Sequence, residues 1–218
     1  AAYAAIANGG TYMEPVFYTE VTDQDGKVIL SNDLQGQRVF KESTAFLLTS
    51  AMEDVVSQGT GTGFALEDMH VAGKTGTAND YRDLTFAGYT PYYTAAIWAG
   101  YDDPQDLPQS HRTFHRAIWR NVMNRIHEDL PDKDFEQPST VKRAAVCAES
   151  GLLAGSGCTR VNEYFDQDNM PQERCTEHRS SLFSGWNNRQ DRRDDSNGSS
   201  GGNASSWWDY WSRWWRGN

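Results

Sequence analysis

Residues 70–77, 84–90 and 94–101 are three β-type runs in immediate succession, and the segments between them are short. A parallel connection needs a crossover of about a dozen residues or more. Here residues 78–83 separate the first pair and Pro91-Tyr92-Tyr93 closes the second, so the three strands are read as antiparallel neighbours. Such a sheet must bury a face, which calls for helices. One is expected over 44–56, with Ser43 as N-cap, Phe46, Leu47, Met52, Val55 and Val56 largely on one side, and Gly59 just beyond. A second is expected over 112–127, where Phe114, Ala117, Ile118, Val122 and Ile126 form an apolar stripe to lie across the sheet. Trp98 and Tyr101 are expected to fill the packed face, and His111, His115 and His127 to sit at the surface. Upstream, Asp25-Gly26 marks a hairpin turn between 11–22 and 27–30, and residues 1–8 read as the last turns of a helix stopped by Gly9-Gly10. The result is an α/β (α+β) alternation.

Chemistry concentrates at the end of the first strand, Lys74-Thr75-Gly76-Thr77. Lysine supplies a point charge and the threonines short hydroxyl donors. Glycine lets another group approach the backbone closely. A phosphate-binding loop is excluded, because it needs a glycine where this chain has Asp68, whose carboxylate would repel the anion. Asp80, Arg82 and Asp83, just past the motif, read as turn residues.

Four stretches together carry a family resemblance: AAYAAIANGGTY (1–12), SQGTGTG (57–63), VAGKTGTA (71–78) and FAGYTPYYTAAIWAGYDD (86–103). In order and spacing they resemble the C-terminal part of the transpeptidase domain of class A (bifunctional) penicillin-binding proteins, over roughly residues 1–179. Lys-Thr-Gly is one of three motifs of the serine penicillin-recognising enzymes. One departure is Thr85, where many relatives carry tryptophan; it is expected to alter packing rather than chemistry.

The resemblance implies a penicillin-binding/serine β-lactamase-like fold, an antiparallel sheet flanked by helices. It implies a D,D-transpeptidase that cross-links peptidoglycan stem peptides through a serine acyl-enzyme and binds β-lactams. Lys74 would be catalytic, holding positive potential in the cleft. Thr77 would give a backbone oxyanion donor, and Thr75, Gly76 and Thr77 would bind the substrate carboxylate. The Gly59–Gly63 loop would border the cleft. Ser43, Ser50, Ser57 and Ser110 each lack a lysine three positions on, so the nucleophile, its lysine and a Ser-x-Asn element are expected upstream of Ala1. A membrane anchor and a glycosyltransferase domain are expected there too, which puts the protein on the extracytoplasmic face of the cell membrane and leaves this stretch alone inactive. A D-alanyl carboxypeptidase or β-lactamase-like hydrolase, and a non-catalytic module binding wall peptide, stay open as alternatives.

The net charge of −10 argues against nucleic acid as a partner. Cys147, Cys158 and Cys175 all fall in the last third, where an oxidising compartment would allow one disulfide, Cys147–Cys158 being the favoured pair. Cys175-x-x-His178 with the other two cysteines makes a formal Cys₃His set, yet no tight C-x-x-C pair accompanies it. No metal and no cofactor are therefore expected. The domain reading is 1–135 for the transpeptidase part, 136–182 for a small C-terminal extension, 183–206 for a solvated Gly/Ser/Asn/Asp linker, and 207–218 for a tryptophan-rich tail. Trp207, Trp208, Trp211, Trp214 and Trp215 would form one helical stripe suited to a second membrane contact.

Overall fold

The structure, a computed structural model, describes residues 1–178; the expected linker and tryptophan-rich tail lie outside them. The chain divides into two compact units, the first Ala1–Lys142 and the second starting at Arg143. No helix among the described residues is long and apolar enough to cross a membrane.

The first unit is built on the expected three-stranded sheet, β5 (Ala72–Thr77), β6 (Leu84–Tyr89) and β7 (Thr94–Ala99), in the order β5-β6-β7 and antiparallel throughout. Register pairs Gly73 with Gly88 and Thr75 with Phe86. Neither glycine could carry a Cβ. On Gly73 it would lie 2.5 Å from the Phe86 ring, and on Gly88 it would lie 2.5 Å from the same ring. The bare patch lets Phe86 lie flat on the strands, stacked on Phe64 at 3.7 Å and edge-on to Trp119 at 5.0 Å. Val56, Val71 and Met123 complete this core.

Helix α1 (Ala2–Ala7) ends as expected, with Gly9 and Gly10 at positive φ. With α2 (Glu42–Ser57) it supplies residues to a second core, where Tyr3, Ile6, Ala7, Met52 and Phe135 gather on Ala72 and Tyr89. The buried Tyr89 phenol is 2.7 Å from the Thr49 hydroxyl, and burial pushes its pKa upward.

Four local expectations are corrected. The turn at Asp25-Gly26 does close a hairpin, fastened by the Asp23 carboxylate, which accepts from the Asp25 and Lys27 amides at 3.0 and 2.9 Å. Its strands, however, are β2 (Glu20–Thr22) and β3 (Val28–Ser31), while β1 (Thr11–Met13) pairs with β4 (Gly36–Arg38) instead. Ser43 is not the N-cap of α2: Lys41 holds that position and Ser43 is buried in the first turn. Trp98 and Tyr101 are exposed, not packed, and the Trp98 indole N–H donates to Asp83 at 2.9 Å.

The fourth correction concerns α3 (Phe114–His127), whose buried face is His115, Trp119, Met123 and His127, while Phe114, Ile118, Val122 and Ile126 are exposed. Trp119 turns the helix this way by filling the angle beside Phe86, its N–H donating to the Ala95 carbonyl at 3.2 Å. His127 is then carried inward. Its Nδ1 lies 2.7 Å from the Met123 carbonyl, which can only accept, so Nδ1 bears the proton; its Nε2 lies 2.8 Å from the Thr90 hydroxyl.

His115 is buried against Phe64 with no hydrogen-bond partner for Nδ1 among the described residues, and burial, reinforced by the Arg116 charge, lowers its pKa from 6.5. The unfolded chain therefore takes up this proton first. Stability should drain away as pH falls below about 6.5 and stop draining below the folded pKa. His115→Phe should flatten the dependence of the urea midpoint between about pH 7.5 and about pH 5.5. Identical slopes for both proteins would rule His115 out as the cause.

In the second unit β8 (Val141–Cys147), which runs across the division, pairs with β9 (Arg160–Asp166). Leu153 bridges Val146 on one side and Arg174 on the other. Asp168 and Asn169 lie in a single 3₁₀ turn fastened by Asp166, whose carboxylate accepts from the Asp168 amide at 2.9 Å.

Candidate functional site

Strand β5 is an edge strand among the described residues, because only its β6 side is paired. An unpaired edge presents backbone N–H and C=O groups to any extended chain that can align with it. Strand alternation sends Lys74 and Gly76 to one face and Thr75 and Thr77 to the other. Lys74 is partly buried and bends back over the strand, its ammonium donating to the Thr75 carbonyl at 2.9 Å.

Lys74 borders a groove of about 390 Å³. The groove exists because α1 and α2 cover only the Ala72–Tyr89 end of that face. Beyond this end the register lines up Lys74, Ala87 and Ala96 in one row and Gly76, Thr85 and Trp98 in the next. Small side chains leave the floor low, and Tyr3 and Trp98 raise the rims. Thr85 thus lies on the groove floor, and a Cβ on Gly76 would collide with its hydroxyl.

On the opposite face, the Thr75 hydroxyl is 2.8 Å from the Thr60 hydroxyl, which ties the glycine-rich loop to the strand. The loop can come this close because it hugs the end of α2: Gly61 N–H donates to the Val55 carbonyl at 2.8 Å, and a Cβ on Gly59 would lie 2.9 Å from that oxygen. Immediately after β5 the backbone turns sharply, with Asp80 and Tyr81 both at positive φ. Arg112 stacks on the Tyr81 ring at 3.9 Å, and Arg82 pairs with Asp106 at 3.1 Å. Asp80, Arg82 and Asp83 sit in and around this turn, as expected for turn residues.

The motif residues therefore share one strand segment, but not one face. The assembly can do three things chemically: hold an anion beside a fixed ammonium, offer two hydroxyl donors, and pair with an extended peptide. Sequence reasoning missed the Thr60–Thr75 contact and the groove made by Tyr3, Thr85, Ala87, Ala96 and Trp98, because cross-strand register creates both. It also missed a serine. Ser139 does have a lysine three positions on, Lys142, so the Ser-x-x-Lys spacing occurs in this chain after all. Both residues are exposed: Ser139 lies in the turn that the Val141 N–H closes on the Pro138 carbonyl at 2.9 Å, and Lys142 is the second residue of β8.

A second constellation lies in the other unit. Cys147, Cys158 and Cys175 are all free thiols, which corrects the expected Cys147–Cys158 disulfide. With His178 they place three sulfurs and one imidazole nitrogen within 4.8 Å of one another. Hydrogen bonding, first from the Ser150 hydroxyl, draws the Cys175 thiol down to about 6, and Cys175 in turn is the main cause of His178 rising to about 9.

Two families match the chain: one described as the penicillin binding protein transpeptidase domain, over residues 1–124, and one as the penicillin-binding protein 1A C-terminal domain, over residues 137–180. Among curated relatives, penicillin-binding protein 1A of Clostridium perfringens is 34% identical over 185 residues, covering 81% of this chain and 22% of its own. The protein of the same name from Clostridium tetani is 36% identical over 188 residues, covering 82% and 24%. The chain thus spans about a quarter of the length of these relatives or slightly less. The crystal structure of penicillin-binding protein 1A from Haemophilus influenzae superposes with a TM-score of 0.70 at 22% identity, covering 80% of this chain and 32% of that one. The shared fold is an antiparallel sheet flanked by helices, as the resemblance implied.

Proposed function

Because this chain belongs to the penicillin-binding protein transpeptidase family, we propose that it forms the substrate-clamping wall of a peptidoglycan D,D-transpeptidase. The observation that carries the reading is the edge strand β5, which sets Lys74 over a groove on one side and ties Thr75 to the glycine-rich loop on the other. The open backbone edge receives the extended stem peptide by β-augmentation. Thr75 and Thr77 donate hydroxyl hydrogen bonds to its terminal carboxylate, and Gly76 leaves room for the approach. Lys74 holds positive potential at the reacting carbonyl. The Thr77 backbone N–H is one arm of the oxyanion hole.

A serine from the polypeptide outside these residues attacks the carbonyl between the two terminal D-alanines. A carbon–oxygen bond forms, the peptide carbon–nitrogen bond breaks, and D-alanine leaves with the proton. An amine from a neighbouring stem peptide then attacks the ester, forming the cross-link and returning the proton to the serine oxygen. β-Lactams are taken up as mimics of the same terminus. The complete protein works at the outer face of the bacterial cell membrane, held by an anchor outside these residues. The tryptophan-rich tail adds a second membrane contact.

The test supplies the complete protein with polymerised peptidoglycan and separates the products. Cross-linked dimers together with free D-alanine are expected. Free D-alanine with only shortened, uncross-linked peptides would replace this reading by a carboxypeptidase. No D-alanine and no penicillin adduct would leave a binding module without catalysis.

A further inference from the structure

We propose that Cys147, Cys158, Cys175 and His178 form a closed, tetrahedral Cys₃His site for a structural zinc ion.

The distances carry it. A tetrahedron with metal–sulfur bonds of about 2.3 Å and metal–nitrogen bonds of about 2.0–2.1 Å has sulfur–nitrogen edges of about 3.5 Å. Here His178 Nδ1 lies 3.5 Å from Cys147 Sγ, 3.6 Å from Cys158 Sγ and 3.3 Å from Cys175 Sγ. Three near-equal edges meeting at one nitrogen are the base-to-apex geometry of a site around a single ion. Hydrogen bonding alone does not explain the convergence, since one imidazole nitrogen accepts one proton and not three.

The surroundings are those of a ligand set. The other imidazole nitrogen, Nε2, is 3.0 Å from Glu149 Oε2, which fixes the ring so that Nδ1 faces the sulfurs. The Gly155 amide donates to Cys158 Sγ at 3.3 Å, and a Cβ on Gly155 would lie 2.8 Å from the Cys175 carbonyl. Cys147 lies at the end of β8, where a turn with Gly151 at positive φ reverses the chain. Backbone bonds between Leu153 and both Glu173 and Cys175, each 2.9 Å, draw the third cysteine in. Three separate turns thus deliver four ligands to one point.

The unit also needs such a centre. All three apolar core clusters of the described residues belong to the first unit. The described part of the second buries only Val146, Cys147, Ala154 and Cys175 among its apolar side chains. Modules of about 40 residues or fewer usually require disulfides, a metal or a partner to fold. With four protein ligands there is no open coordination position, so the ion holds structure and does no chemistry. Soft thiolates with one imidazole favour zinc over magnesium or calcium. Bound as ligands, the thiolates are also withheld from the disulfide that their compartment would otherwise promote.

The chain is produced in zinc-supplemented medium, purified without chelator and analysed for metal content and intact mass. About one zinc per chain is expected, with the cysteines protected from a thiol reagent until a strong chelator is added, and with cobalt able to replace zinc and give the absorption of a tetrahedral thiolate complex. Cys175→Ser and His178→Ala should each abolish stoichiometric metal. Glu149→Gln, which removes no ligand, should weaken affinity about 10–100-fold. If the ligand variants fail to fold, titration of the chelated parent chain with zinc alone decides. Recovery of the cysteine protection at one equivalent supports the site. No uptake, or a mass two hydrogens lower from a Cys147–Cys158 disulfide, overturns it.

Discussion

Lys74→Ala in the complete protein should slow acylation by a fluorescent penicillin at least about tenfold, because the positive potential it holds at the reacting carbonyl is lost. The ammonium sits at the mouth of a groove and donates to the Thr75 carbonyl at 2.9 Å, its one hydrogen bond among the described residues. Little folded-state energy therefore depends on it, and thermal unfolding should stay close to the parent value. Lys74→Arg keeps the charge but spreads it over a planar fork, so it should restore only part of the rate. An unchanged acylation rate for the alanine variant would remove Lys74 from the mechanism while leaving the family assignment intact.

Phe86→Ala should be the most damaging single change to the first unit, costing about 3–5 kcal/mol in chemical denaturation. Phe86 is fully buried, and its ring is held between Phe64 and the bare Gly73–Gly88 pair, with Trp119 edge-on. The Gly73–Gly88 pair beneath the ring has no side chain to move into the space it would leave. Since Phe86 pairs with Thr75 in register, loss of the ring should also loosen the strand that carries Lys74. A loss below about 1 kcal/mol would mean that the aromatic stack does not hold β5 in place.

The sheet was legible because period-two patterning and short links leave antiparallel strands one arrangement. Lys74, Thr75, Gly76 and Thr77 were legible as one strand segment, and the structure sets them on β5, which is paired on one side only among the described residues. The orientation of α3 was not legible. Its aliphatic stripe scored well by hydropathy, but the face that packs is chosen by shape, where Trp119 fits the corner beside Phe86, and by a hydrogen bond, where His127 meets Thr90. Partners on other elements decided both. The Cys₃His set could be named from the sequence but not chosen over a Cys147–Cys158 disulfide, because three turns had to form before Cys147, Cys158 and Cys175 met His178. Thr60 could have been narrowed to one of two, since in the Gly59–Gly63 loop only Thr60 and Thr62 carry side chains able to fasten it.

The two faces of the sheet have unequal freedom to change. Beneath Phe86, any side chain larger than hydrogen at position 73 or 88 strikes the ring, so no lineage can vary those positions without rebuilding the interior. On the reverse, Thr85, Ala87 and Ala96 project into open space, where larger residues can arise and persist. Descendants of this sequence can thus redraw the floor of the groove beside Lys74 while the scaffold beneath it stays untouched.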